Sequence, residues 1–514
     1  MRIHGLSILT SLGLFSGAIL LPGTALAEDE LRLHLLGTYE TQLFDKSAAE
    51  ISAFAPSVNR LYVVNADAAG IDILDLSDPA KPSKVNHLSF AKHGASVNSV
   101  AVFGDLVAVA VAGDKVEQPG KVIFLSLEGE EKAVVTVGAN PDMVAFTHDG
   151  AKLVVANEGE PSDDYTVDPE GSISIITIAD MKVAHVDFAR FDDVPAGMRI
   201  VKPGASLAAD LEPEYVGISR DNKTAYVTLQ ENNGIAVVDL ESAEVTSLIG
   251  LGYKDHSIHA MDASNKDGGR NIRTWPVKGM YQPDAIAVYE VAGKTYLVTA
   301  NEGDARDYDG WSEEAIVADI TLDETAFPNA EEIQAEGALG KLKTTTTMGD
   351  TDGDGDHDEI YAFGARSFSI WSDSGELIYD SGDDFERITS KRLGDNFNSN
   401  NDENESGDKR SDDKGPEPEG VVLGEIAGRT IAFIGLERVG GVMSYDVTDP
   451  RAPRFLGYEN NRNWSGSASA GKAGDLGPEG LTFIPSNQSP TGRDMLVVTN
   501  EVSGTTSIFE VGLN

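Results

Sequence analysis

"LVVANEGEPSDD" (153–164) returns far down the chain as "LVTANEGDARD" (297–307). Each is a short apolar run, rich in Val, that ends on Asn-Glu-Gly and then turns acidic. Runs of this length and composition read as buried strands rather than helices. Two strands with the same ending imply a repeat, and the flanks carry it. "NPDMVAF" (140–146) precedes the first copy and "QPDAIAVY" (282–289) the second. The same pair of runs recurs as "EPEYVGI" (212–218) with "AYVTLQENNG" (225–234) and as "EPEGVVL" (417–423) with "IAFIGLERVGG" (431–441). It recurs again as "GPEGLTFI" (477–484) with "MLVVTNEVSG" (495–504). Two degenerate pairs lie upstream: "AEISAF" (49–54) with "LYVVNADAAG" (61–70), and "VNSVAVF" (97–103) with "LVAVAVAGD" (106–114).

Every pair continues into a third run, such as "GIDILDL" (70–76) or "TTSIFEV" (505–511), and most into a fourth. Helical periodicity is scarce. The chain therefore reads as all-β, and four antiparallel strands repeated radially make a β-propeller. The count predicts seven four-stranded blades. The last unit stops at its third strand, while "LRLHLLGTYE" (31–40) belongs to no unit. This N-terminal strand is expected to complete the last blade and close the ring, which removes an exposed sheet edge. One propeller domain over 28–514 is expected. A long insertion, about 303–364, separates the second and third strands of its fifth unit.

Arg2, the apolar stretch 8–21 and the Ala25-Leu26-Ala27 site have the pattern of an export signal over 1–27, cleaved after Ala27. That predicts a periplasmic or extracellular protein. No later run is long and apolar enough for a transmembrane anchor. The chain has no cysteine, so disulfides do not hold it together, and 514 residues can bury a core without them. A formal net charge of −44 excludes a general nucleic-acid binder, which needs clustered Lys and Arg. It favours multivalent cations or cationic surfaces. Solubility in high salt would explain the average charge, but not its recurrence at repeated places.

In an antiparallel hairpin the start of the first strand and the end of the second share one edge. The Pro-Asp/Glu and Asn-Glu positions should then meet on one face, near the central channel. The pairs are Asp142 with Glu158, Glu214 with Glu231, Asp284 with Glu302, Glu419 with Glu437, and Glu479 with Glu501; Glu50 and Asn65 hold the matching places in the first unit. Carboxylates so gathered either raise their pKa values or recruit cations. All-oxygen donors suit Ca²⁺, then Mg²⁺ or another divalent cation. A solvated, cation-free rim is the plainer alternative.

A second acidic feature, "DTDGDGDHDE" (350–359), places Asp350, Asp352, Asp354, Asp356 and Asp358 at every second residue, with glycine between. This is the order of an EF-hand calcium loop through its ninth position. Tyr361 stands where the bidentate Glu would be, so Glu359 is the candidate substitute. The stretch 396–415, "NFNSNNDENESGDKRSDDKG", reads from composition alone as a disordered linker. Running straight into "PEPEG", it is better placed as a loop at the acidic face. His256 and His259 are weak ligand candidates, since surface histidine pairs are mostly incidental.

These segments together resemble the choice-of-anchor I family of exported bacterial proteins. The likeness rests on "NEGEPSDDY", "KDHSIHAMDASNKDGGRNI", "WPVKGMYQPDAIAVY", "TANEGDARDY", "DTDGDGDHDEIYAFGARSFSIW", "FNSNNDENESGDKRSDDKGPEPEGV" and "DLGPEGLTF". The family is similar to mesenchyme-specific cell-surface glycoproteins, and some relatives carry the label alkaline phosphatase. The acids are read as serving a calcium-dependent binding role toward a surface, a glycan or mineral, the mineral being what the resemblance implies. The alternative is a metal-dependent phosphoester hydrolase, a phosphatase or phosphodiesterase, with cations polarising the phosphoryl oxygens. Arg306, Arg366 and Arg438 would then clamp the phosphate, with Arg410 and Lys414 as weaker candidates.

Overall fold

The computed structural model describes residues 30–513. The export-signal reading at 1–27 lies outside the described residues.

Among the described residues the repeat units fold into seven four-stranded antiparallel sheets. In chain order they cover 52–89, 97–139, 141–186, 213–250, 286–380, 418–459 and 478–513. Strands within each sheet follow one another in simple meander order. The seventh sheet takes its fourth strand from the other end of the chain: Leu31–Glu40 pairs with Thr505–Leu513, Leu31 opposite Leu513 and Glu40 opposite Thr505. The first strand of each sheet touches the first strand of the next, and that of the seventh touches that of the first. The sheets thus stand around a closed ring with their first strands innermost, which is a β-propeller.

The continuous apolar runs seen in the sequence follow from burial on both faces. Sheets pack face to face, and each shared interface holds its own cluster. Val154, Ile175, Val216, Val227 and Val238 join the third and fourth sheets. Phe368, Ile370, Ala432, Ile434 and Tyr445 join the fifth and sixth. At the closure, Leu31, Leu33, Phe433, Leu496 and Val498 form one cluster, and Leu61, Val63, Met495, Val497 and Ile508 another. The N-terminal strand is therefore a packing element and not just a cover for an edge.

Strand Lys294–Asn301 pairs with Ser367–Ser372, so the chain between them leaves the fifth sheet and returns to it. That excursion has an apolar centre of its own. Val317, Ile320, Leu322, Phe327, Leu339 and Leu342 pack with Met261, Trp275 and Val277 from the segment before the fifth sheet. Helix Asp384–Leu393 buries Phe385 and Ile388 against the fifth and sixth sheets. The 396–415 stretch does not behave as composition suggests: Phe397, Asn398, Ser399, Ser406 and Ser411 are all buried. Its polar side chains are satisfied by the body and by one another, as in Asn398 donating to Glu386 outside the stretch (2.9 Å) and to Ser411 within it (3.0 Å).

Leu31 is fully buried at the closure, so Leu31→Ala should destabilise the protein by about 2–4 kcal/mol. Urea unfolding followed by fluorescence would measure it, with exposed Leu377→Ala near neutral as the comparison.

A candidate acidic cation-binding mouth

The recurring Pro-Asp/Glu places an acid at a recurring distortion. Pro141 pairs with Asn157, Pro213 with Leu229, Pro418 with Leu436 and Pro478 with Asn500, and the register shifts immediately afterwards in all four sheets. Asp142, Glu214, Glu419 and Glu479 sit in these bulges. A bulge breaks the two-residue alternation and re-aims its side chain. Proline suits the first strand position because no ladder donor is needed there.

The residue ahead of the proline closes the corner. Asn140, Gln282 and Glu417 take left-handed backbone angles (φ 42°, 40° and 49°), as does Gly477 (φ 68°). Their carbonyls accept from the amides that follow the second strand: Glu158 (3.0 Å), Gly303 (3.1 Å), Glu437 (2.8 Å) and Glu501 (2.8 Å). Non-glycine residues held this way carry strain, which a rigid scaffold tolerates at functional positions.

Asn-Glu-Gly divides its labour. The asparagines are buried clamps between strands two and three. Asn157 donates to Ser174 Oγ (3.0 Å) and accepts from Gly138 N (3.0 Å), while Asn301 donates to Ser369 Oγ (2.8 Å). The glutamate then faces the mouth. Glycine follows because the next turn is too close for a side chain: a Cβ on Gly303 would lie 2.2 Å from Gly364 N.

The predicted acids do converge. Burial raises the pKa of Glu214 well above the carboxylate range, and Glu231, Glu158, Asp284 and Asp142 raise it further. Glu419 is raised the same way, with Glu437, Glu302, Glu479 and Asp284 as neighbours. Glu479 is raised by burial together with Glu50, Glu501, Asp284 and Asp142. Glu158, Asp284 and Glu437 are also pushed well up, burial leading, and Glu302 and Glu501 rise in the same direction. Burial brings Asp142 to about 6, Glu231 to about 7 and Glu50 to about 8.

Bases sit on one side of this mouth. Lys414 Nζ lies 2.7 Å from Glu302, 3.3 Å from Asp304 and 3.3 Å from Glu417. Arg438 Nε is 3.0 Å from Glu417 and 3.1 Å from Glu437. Burial works against ionising Glu417, but Lys414, Arg410 and Arg438 outweigh it and bring its pKa to about 2. Elsewhere the supply is thinner: Arg306 pairs with Glu212 and acts on Glu231 through space, but four oxygens have no donor. Glu214 Oε2, Glu231 Oε2, Glu419 Oε2 and Glu479 Oε2 are buried with no hydrogen-bond donor, and Glu214 and Glu231 are only 8% and 6% exposed as whole residues. An unsatisfied buried carboxylate oxygen is costly unless a proton or cation attends it. Asp284, Glu302 and Glu419 bring ligand atoms within 4.8 Å of one another, and so do Glu302, Glu417 and Glu437.

The three arginines proposed to hold phosphate are already engaged. Arg306 is buried, with Glu212 at 2.8 Å, Asp210 at 3.4 Å and the Tyr165 hydroxyl at 3.3 Å. Arg366 donates to Glu386 (2.7 Å) and to the carbonyls of Asp262, Ser411 and Asp413. Arg438 serves Glu417 and Glu437. His256 is buried and donates through Nδ1 to the His259 carbonyl (3.0 Å).

In the 350–359 loop, Asp350, Asp352 and Asp358 form one close group, and Asp323, Asp356 and Asp358 another; Asp354 joins neither. Glu359 belongs to neither group. It accepts from the Tyr361 hydroxyl (2.5 Å) and pairs with Lys278 (2.6 Å).

Residues missed in the sequence include Glu160, Glu212, Glu417, Asp304 and Tyr308. Glu212 and Glu417 stand in plain view as the first residue of the two Glu-Pro-Glu motifs. Tyr308 was not legible, because only the returning insertion brings its hydroxyl to Glu160 (3.5 Å).

Fold and site together define a β-propeller with a buried, acid-lined mouth. Residues 50–450 match the choice-of-anchor I domain, and the chain belongs to that family. It is 35% identical over 190 residues to gigasin-3a of Magallana gigas, covering 35% of this chain and 66% of that one. It is 28% identical over 280 residues to the mesenchyme-specific cell surface glycoprotein of Strongylocentrotus purpuratus, covering 47% of this chain and 35% of that one. The chain thus spans just under two thirds of the first relative and about a third of the second. Among solved structures it is similar to the Kuenenia stuttgartiensis hydrazine synthase (TM-score 0.48, 12% identity, 91% of this chain and 97% of that one). It is also similar to the β-propeller domain of Myceliophteria thermophila Cps50 (TM-score 0.47, 8% identity, 94% and 100%). No helix among the described residues is long and apolar enough to cross a membrane.

Carboxyls whose pKa is raised by folding bind protons that the unfolded chain releases, so they stabilise less as pH rises through their folded values. With Asp142 near 6, Glu231 near 7 and Glu50 near 8, the melting temperature in chelator should fall by several degrees between pH 6 and pH 8.5. Differential scanning calorimetry across that range would measure it, and a flat profile would count against the gathered acids.

Proposed function

We propose that this is an exported β-propeller that binds divalent cations, Ca²⁺ first and Mg²⁺ or another hard cation second, in its acidic mouth, and that it works as a binding protein at a surface. The observation that carries the reading is the set of buried, donorless oxygens on Glu214, Glu231, Glu419 and Glu479. Their all-oxygen chemistry fits a hard cation, and no side chain donates a hydrogen bond to them, although the Arg306 charge acts on Glu231 through space. Asp284, Glu302 and Glu419 are the nearest-gathered ligands beside the basic side, where Glu302 also holds Lys414. The 350–359 loop would be a second, more exposed calcium site that stiffens the insertion. A relative named as a cell surface glycoprotein supports the export and the surface role. A glycan or mineral surface is then the proposed partner, with bound cations bridging to its anionic groups.

Metal-dependent phosphoester hydrolysis is the second reading. It ranks lower because Arg306, Arg366 and Arg438 are committed to carboxylates and carbonyls, which leaves a phosphate without its clamp. Metal analysis of the purified protein, followed by calorimetric titration of the chelated form with Ca²⁺, tests the primary reading. Wild type should bind Ca²⁺ and gain thermal stability. Glu214→Gln with Glu419→Gln should weaken the mouth site at least tenfold, and Asp350→Asn with Asp358→Asn should remove only the loop site. Absence of any binding by wild type would sink the reading, and calcium-dependent turnover of a phosphoester panel would reverse the ranking.

A further inference from the structure

We infer that Lys414 is a built-in counter-cation of the mouth, which competes with a divalent ion for Glu302 and so sets the ion concentration at which the mouth fills. This concerns the regulation of the cation site proposed above and rests on that reading.

Glu302 is the carboxylate common to the two acidic triads of the mouth, Asp284–Glu302–Glu419 and Glu302–Glu417–Glu437. The second triad is already neutralised. Glu417 receives Lys414, Arg410 (2.5 Å) and Arg438, and Glu437 receives Arg438 and the Asn401 amide (2.8 Å). A divalent ion is therefore directed to the first triad, where Glu419 Oε2 has no donor. There it meets a divided ligand. One oxygen of Glu302 takes Lys414 (2.7 Å) and the other takes the Gln230 amide (2.8 Å). Lys414 is 7% exposed, and its ammonium stays charged because Asp304, Glu302 and Glu417 more than offset the cost of burial.

A metal ion bound to Glu302 would sit beside that ammonium in a medium of low dielectric, where like charges repel strongly. One of them must yield. The flexible lysine stem can swing away, and the next residue, Gly415, is left-handed (φ 70°), so the chain turns sharply there. The loop has its own anchors in Asn398, Asn401 and Arg410, so its fold does not depend on Lys414. The lysine is placed as an occupant of the mouth more than as a support of the loop. Binding two groups that exclude each other is reciprocal: calcium should expel Lys414, and removing Lys414 should favour calcium.

Two measurements test this. In calorimetric titrations with Ca²⁺, Lys414→Met should bind roughly tenfold or more tightly than wild type, Lys414→Arg should stay close to wild type, and the exposed control Lys409→Met should not change. On the unaltered protein, amine-reactive labelling read by mass spectrometry should find Lys414 protected in chelator and several-fold more reactive in saturating Ca²⁺. Equal or weaker binding by a folded Lys414→Met overturns the inference. So does Lys414 labelling that is unchanged or reduced by Ca²⁺, a result that holds even if the methionine variant does not fold. Wild type that binds no Ca²⁺ overturns the cation reading and this inference together, whereas normal binding with indifferent Lys414 overturns this inference alone.

Discussion

Closing a ring of similar sheets forces like charges together, and most of the local chemistry answers that constraint. Every unit but the second, which has Asn98 there, brings an acid at the start of its first strand, and most bring another at the end of the next. Two carboxylates about 5 Å apart repel by about 3 kcal/mol at an effective dielectric near 20. A protein is only marginally stable, so several such contacts must be compensated. Three means are available: protons, internal bases and external cations. Lys414, Arg410 and Arg438 supply the second around Glu302, Glu417 and Glu437. Protons or cations must attend Glu214, Glu419 and Glu479.

The scaffold makes this arrangement possible by separating where stability arises from where charge gathers. Apolar clusters lie between the sheets, all the way round, and owe nothing to the mouth. The acids hang from their inner edge on bulges, strained corners and asparagine clamps. A bulge at Asp142 or Glu419 aims a side chain without moving the sheet. The clamps at Asn157 and Asn301 tie the second strand to the third where the glutamate leaves it. Charge can thus be concentrated at a place the core does not depend on.

What could be read in advance followed repetition. Alternation and the Pro-acid and Asn-Glu signatures were visible because each recurs, and the mouth acids were legible from the hairpin alone. The arginines were not. Arg306 was expected to face a ligand on the strength of its place after Asn-Glu-Gly, yet Glu212 and Asp210 surround it, and both come from another unit. Glu359, the candidate substitute at the end of the calcium-type loop, pairs with Lys278 from far back in the chain, a partner its spacing could not reveal. For the 396–415 stretch polar composition alone reads as a linker, and its position ahead of "PEPEG" reads as a loop at the acidic face. Its buried polar groups are satisfied partly among themselves and partly by Glu386, Glu437 and the Asn463 carbonyl from elsewhere in the chain.

Local chemistry, written along the chain, determined the strands, their turns, the order of the sheets and the face on which the acids lie. Those properties depend on neighbours a few residues away, repeated often enough to be seen. Tertiary structure alone decided which carboxylates are neutralised and which are left open. Lys414 and Glu302 are 112 residues apart, and Arg306 and Asp210 are 96 apart. Electrostatic pairing acts through space in a low dielectric, so the partner of each charge is fixed by the closed ring and the loops folded onto it, not by its place in the sequence.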